Sequence, residues 1–165
     1  MSESSTETKR AEALARLNVV DLVPHRESMC LLDGIVDAGA DWLIAKAEIR
    51  ADNIFCLPDG VPTWIGIEYM AQTIAALAGL RELEQGSEVK LGFLLGTRKY
   101  SVNQPYFTMG SILKIKVEEV ILGENGLGAF DCQIESDANN CKAEGSLNVF
   151  QPPNPEEFLS RGKLS

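Results

Sequence analysis

A chain of 165 residues with 45% hydrophobic composition is long enough for one domain with its own core and too apolar to be disordered throughout. Its net charge of −9 lacks the basic footprint of a nucleic-acid binder and offers no broad attraction to anionic membranes. Cys30, Cys56, Cys132 and Cys141 form no C-x-x-C pair, and beside a single histidine they cannot frame a zinc cage, so no metal and no cofactor is expected.

Residues 1–8 read as a disordered tail and 9–17 as a short helix. Asp21 to Glu27, with Pro24 and His25, reads as a loop. From Met29 to Val36 the pattern turns to strand, and Trp42 to Arg50 alternates as its hairpin partner across a turn at Gly39 to Asp41. Asn53 to Pro62 is a loop, Thr63 a helix start close after a proline, and Gly86 the far end of that helix. Four strand-like runs follow, over Leu91–Ser101, Ile112–Leu122, Leu127–Glu135 and Lys142–Phe150, separated by turn residues. No apolar stretch reaches the roughly 20 residues of a membrane span, nothing resembles a signal peptide, and the cysteines are expected to be reduced in a cytoplasmic protein.

Two strands, one long helix and four strands leave a sheet with one face to bury and a single helix able to cover it. The economical arrangement is a curved antiparallel sheet wrapped around that helix. The helix sequence VPTWIGIEYMAQTIAALAGL is apolar nearly all round, so it should be buried. Gly66, Ala71, Ala75, Ala78 and Gly79 suit close packing against strands or a second copy of the helix.

One residue of that run is charged, Glu68. Burial pushes a carboxyl pKa upward and makes a candidate acid or base, although a structural Glu paired with an arginine fits the same residue. Backbone N–H groups at Thr63 and Trp64 are candidates to polarise a carbonyl, as an oxyanion hole does. Phe93, Tyr69 and Trp64 are candidates to line an acyl tunnel, with plain core packing as the alternative.

The segments PHRESMCLLDGIV, GIEYMAQTIAALAG and LGTRKYSVNQPYFTMGSILKI resemble, in order and spacing, the hotdog-fold β-hydroxyacyl-acyl carrier protein dehydratases. The match runs from about Asp21 to Phe150. The chain is most similar to the dehydratase-like subunits of aryl polyene biosynthesis, which share the P-H-x-x-x-M opening, the G-x-P-x-W-x-x-x-E-x-M-A-Q helix and the N-x-F-Q-P ending found here at Pro24 to Met29, Gly60 to Gln72 and Asn148 to Pro152. The resemblance implies an α+β hotdog fold over residues 18–152, flanked by a tail or short helix (1–17) and a tail (153–165).

It also implies elimination of water from a β-hydroxyacyl thioester, with a histidine removing the α-proton and an acid helping the hydroxyl leave. The acid maps onto Glu68 and the oxyanion donor onto Thr63, after Pro62. The family's histidine, in an H-F-P segment before the helix, has no counterpart: the loop here is NIFCLPDGVP, and His25 is the only histidine of the chain. Three readings follow. His25 completes a His–Glu pair with Glu68, a related hotdog subunit supplies the missing group, or the chain binds and scaffolds acyl chains without turnover. A thioesterase is a further option, because fold alone does not decide chemistry. The implied partners are an acyl carrier protein, docking on Arg98 and Lys99 with Arg81 nearby, and a second hotdog subunit, identical or different.

Overall fold

In a computed structural model the described residues are 2–25, 27–86, 92–152, 154, 157, 160 and 161. The elements are α1 (Ser2–Ala15), β1 (Gly34–Ala38), β2 (Trp42–Glu48), β3 (Val61–Pro62), α2 (Gly66–Glu84), β4 (Phe93–Val102), β5 (Tyr106–Phe107), β6 (Ile112–Leu122), β7 (Leu127–Ser136) and β8 (Lys142–Phe150). Six strands form one antiparallel sheet in the order β1-β2-β6-β7-β8-β4, which leaves β4 as an edge.

Alternation decides which face of that sheet is wet. Leu43, Ala45 and Ala47 of β2, Leu113, Ile115 and Val117 of β6, and Ile134 of β7 are fully buried on the inner face, while Lys114, Lys116 and Glu118 point outward. The inner face closes over α2, whose Tyr69, Met70, Ala76 and Leu77 are fully buried. This is the hotdog arrangement, an antiparallel sheet curled about one apolar helix. The helix ends where a left-handed residue reverses the chain, at Gly86 with φ 73°.

Several boundaries differ from those the sequence suggested. The expected tail over 1–8 is helical from Ser2, continuous with the short helix, and α1 docks on β1 through buried Leu14 and a 2.6 Å hydrogen bond from Arg10 Nη2 to Ala38 O. The first strand starts at Gly34 rather than Met29, because residues 29–31 are tied to α2 by side-chain hydrogen bonds instead of to a neighbouring strand. Thr63–Ile65 form a 3-10 turn leading into α2, and the loop before the helix meets the β4–β6 connection in the short β3–β5 pair, where the sequence suggests only loop and turn. Leu91, the expected start of β4, lies outside the described residues, as does most of the expected C-terminal tail. Arg161 and Glu157 there make a helical i,i+4 ion pair of 2.6 Å. Among the described residues no helix is long and apolar enough to cross a membrane.

Candidate active site

The arm between α1 and β1 lies along α2 and carries the site's only imidazole. Asn18 caps a 3-10 turn over Val19–Asp21, and the arm then buries Leu22 and Val23 completely. At Gly79 the helix offers no side chain, so the Leu22 backbone sits against it: an added Cβ would lie 2.0 Å from the Leu22 carbonyl oxygen. Three residues beyond Leu22 comes His25. Two residues after that, Glu27 adopts a left-handed φ of 53°, an uncommon conformation for a residue with a Cβ.

His25 Nε2 lies 3.4 Å from Glu68 Oε1. The two residues, 43 apart in sequence, are thereby brought together within one chain at the surface end of an apolar groove. Both side chains are about one-third accessible, at 28% and 33%. Glu68 Oε1 also accepts a 3.0 Å hydrogen bond from Gln72 Nε2, one helical turn on.

The expectation that burial would raise the Glu68 pKa is corrected here. The hydrogen bond from His25 holds the carboxyl below its ordinary value; desolvation opposes this, and the Gln72 amide and the His25 charge reinforce the lowering. A carboxyl whose folded pKa is depressed stabilises the fold fully above its unfolded pKa, and that contribution is lost as pH falls through the lower folded value. Thermal unfolding of the wild type and Glu68→Gln, followed from pH 7 to pH 3, should therefore show a stability gap that narrows below the ordinary carboxyl value of 4.5. A gap that stays constant over the range would mean that the pair contributes nothing of this kind.

Behind the pair runs a cavity of about 140 Å3 between α2 and the sheet. Ala71, Ala75 and Ala78 form its helix wall, so it follows one face of α2 for about 15 Å from Glu68 at 1.5 Å per residue. Phe93, Phe130, Val149 and Phe150 form the opposite wall. An apolar void of this size holds about one benzene-sized group, so a longer chain must continue toward the mouth or widen the groove.

Of the predicted lining residues, Phe93 is in the groove and two are not. Tyr69 is fully buried on another face of α2, edge-on to Phe107 with ring centroids 6.1 Å apart, and its hydroxyl accepts a 3.1 Å bond from Asn53 Nδ2. Trp64 is 67% exposed and outside the groove. Thr63, expected as an oxyanion donor, is engaged in local bonds. Its N–H donates to Pro105 O at 3.0 Å, its hydroxyl donates to Gln104 O at 2.7 Å, and its carbonyl accepts from Tyr100 Oη. Those bonds pin the helix start to the β4–β5 loop.

The cations predicted for carrier docking divide. Arg98 and Lys99 are both exposed on edge strand β4. Lys99 shares an outer-face depression with Lys116 and three carboxylates, Glu118, Asp131 and Glu144. Arg81 is engaged through Nη1 to Glu119 Oε2 at 2.5 Å and Nη2 to Ala40 O at 2.8 Å, and it lines the far end of the groove.

Sequence reasoning assigned no task to Gln72, Phe130 or Phe150. Gln72 carried a legible signal, a polar residue one turn after Glu68 on a helix otherwise apolar all round. The two phenylalanines carried none, since pocket and core aromatics alternate identically in a strand.

A profile of the ApeP-like family, described as ApeP dehydratase, matches residues 17–160. A chain of the dehydratase heterocomplex ApeI:P from Xenorhabdus doucetiae is 30% identical, with a TM-score of 0.79 over 87% of this chain and 96% of that one. The E. coli PaaI protein from the phenylacetic acid degradation operon (11% identity, TM-score 0.56, covering 90% and 95%) and the sigma28-regulated virulence protein Cj0977 of Campylobacter jejuni (15%, TM-score 0.55, covering 87% and 93%) share the fold alone. No curated protein matches the sequence.

Proposed function

From the premise that this chain belongs to the ApeP-like dehydratase family of hotdog proteins, we propose that it removes water from a β-hydroxyacyl thioester held on an acyl carrier protein during aryl polyene synthesis, with His25 and Glu68 as the proton-transfer pair. The observation that carries this reading is the 3.4 Å approach of imidazole to carboxylate at the mouth of an apolar groove. Base and acid stand side by side where the reactive end of an acyl chain arrives.

The chemistry balances on one shared proton. His25 takes the α-proton as the Cα–H bond breaks, and Glu68 gives its proton to the β-hydroxyl as the Cβ–O bond breaks. The carbon–carbon double bond forms and water leaves. The pair has then gained one proton and lost one, and passage of the proton from imidazolium to carboxylate resets it. At rest the carboxylate form of Glu68 is favoured. Entry of an apolar chain removes water from the site and raises the protonated fraction that the acid role needs.

Assembly with a second hotdog subunit is part of the proposal, supported by the heterocomplex in which the Xenorhabdus relative stands. The carrier protein would approach edge strand β4, where Arg98 and Lys99 are exposed. The test is formation of the trans-2-enoyl thioester from a β-hydroxyacyl carrier protein by the purified chain, alone and with a partner subunit. Turnover only with the partner gives the catalytic histidine to the partner, and release of free thiol from a saturated acyl thioester makes the protein a thioesterase. In the same assay Ala75→Phe, which fills the groove from its helix wall, should cut kcat/KM for a long acyl chain at least about tenfold while sparing a short one, since a handful of lost or clashing methylene contacts is worth that much.

A further inference from the structure

Gln72 is fully buried and joins the two halves of the site. Its Oε1 accepts the Leu31 N–H at 2.8 Å, while its Nε2 donates to Met29 O at 2.7 Å and to Glu68 Oε1 at 3.0 Å. The first two partners fix which way round the amide lies, because one offers only a donor and the other only an acceptor. With that orientation fixed, the remaining N–H can point only at Glu68. Arm residues 29–31 begin four residues after His25, so the amide bridges the segment carrying the imidazole and the helix carrying the carboxylate.

We propose that Gln72 is a positioning residue for the dehydration: it holds Glu68 against His25 and keeps the arm seated on α2. The inference rests on the dehydratase reading above. A neutral side chain that only filled space would need none of the three bonds, and a buried amide without them would cost the fold free energy. A donor aimed at a carboxylate oxygen also favours the charged form, in line with the direction in which Glu68 is shifted. Gln72 thus sets both where the acid stands and the pH at which it carries its proton.

The test follows the Glu68 carboxyl by 13C NMR in glutamate-labelled protein, assigned by the signal missing in Glu68→Gln. Two variants are compared with the wild type. Gln72→Met keeps the length and removes all three bonds, and Gln72→Leu removes them with a shorter side chain and adds no charge beside Glu68, so the conclusion does not hang on one variant folding. Glu68 should titrate at higher pH in both. In the dehydration assay kcat should fall about 10–100-fold with KM within about twofold, and the acid limb of the kcat profile should move the same way. An unchanged Glu68 titration in a folded variant overturns the proposal, even if thermal stability drops, because a purely structural glutamine produces that drop alone. A wild type without dehydratase activity overturns the functional reading and leaves the Glu68 titration to decide on Gln72.

Discussion

His25→Ala and Glu68→Gln are each expected to lower kcat for dehydration by about 10²–10⁴-fold, the range of a lost general acid or base. The prediction is strict for the chain acting alone, because His25 is its only histidine and no second imidazole of its own can take that place. Because the two groups exchange one proton across 3.4 Å, they act as a unit, and the double variant should be little worse than the weaker single one. Neither substitution opens a core cavity, since both side chains are partly exposed, so folded protein should be obtained and circular dichroism should match the wild type. Steady-state assays on a β-hydroxyacyl carrier protein measure the effect. If His25→Ala stays within a few-fold of the wild type, the histidine only anchors the arm.

The architecture was legible because its signals are local and repetitive. β6, β7 and β8 begin at the residues their alternation picks out, and α2 announces itself by an apolar run with Gly86 behind it. Glu68 stood out as the lone charge on that run. What sequence could not show depends on contacts between segments distant along the chain. The arm reads as loop followed by strand, yet Leu31 N–H bonds to a glutamine 41 residues on, and this delays the strand to Gly34. Thr63 occupies the position of an oxyanion donor, but its N–H is claimed by Pro105, whose nearness follows from the β3–β5 pairing. The direction of the Glu68 shift is hidden from the sequence for the same reason. Burial was legible in the helix, whereas the two donors that outweigh it come from the folded site.

Gly79→Ala tests the arm's seat from the opposite side, and here two effects compete. In a helix interior alanine is better than glycine by about 1 kcal/mol, so helix propensity alone predicts a more stable protein. Against this, the new Cβ would lie 2.0 Å from the Leu22 carbonyl oxygen and 2.7 Å from its carbon, backbone atoms that no rotamer change can move aside. Overpacking of this kind costs about 1–3 kcal/mol, and more where backbone must shift. At about 3 kcal/mol, the top of that range, the clash should win, with a net loss of about 2 kcal/mol and a Tm lower by about 4–8 °C for a chain of this size. Gly96→Ala is the control, because a Cβ there meets nothing within 4 Å, and its Tm should stay near the wild-type value. Since Leu22 is three residues from His25, an arm lifted from α2 also moves the imidazole away from Glu68, and kcat should fall together with Tm. A Gly79→Ala protein as stable and as active as the wild type would show that the arm does not rest on the helix at this point, and the close approach of His25 to Glu68 would then need another support.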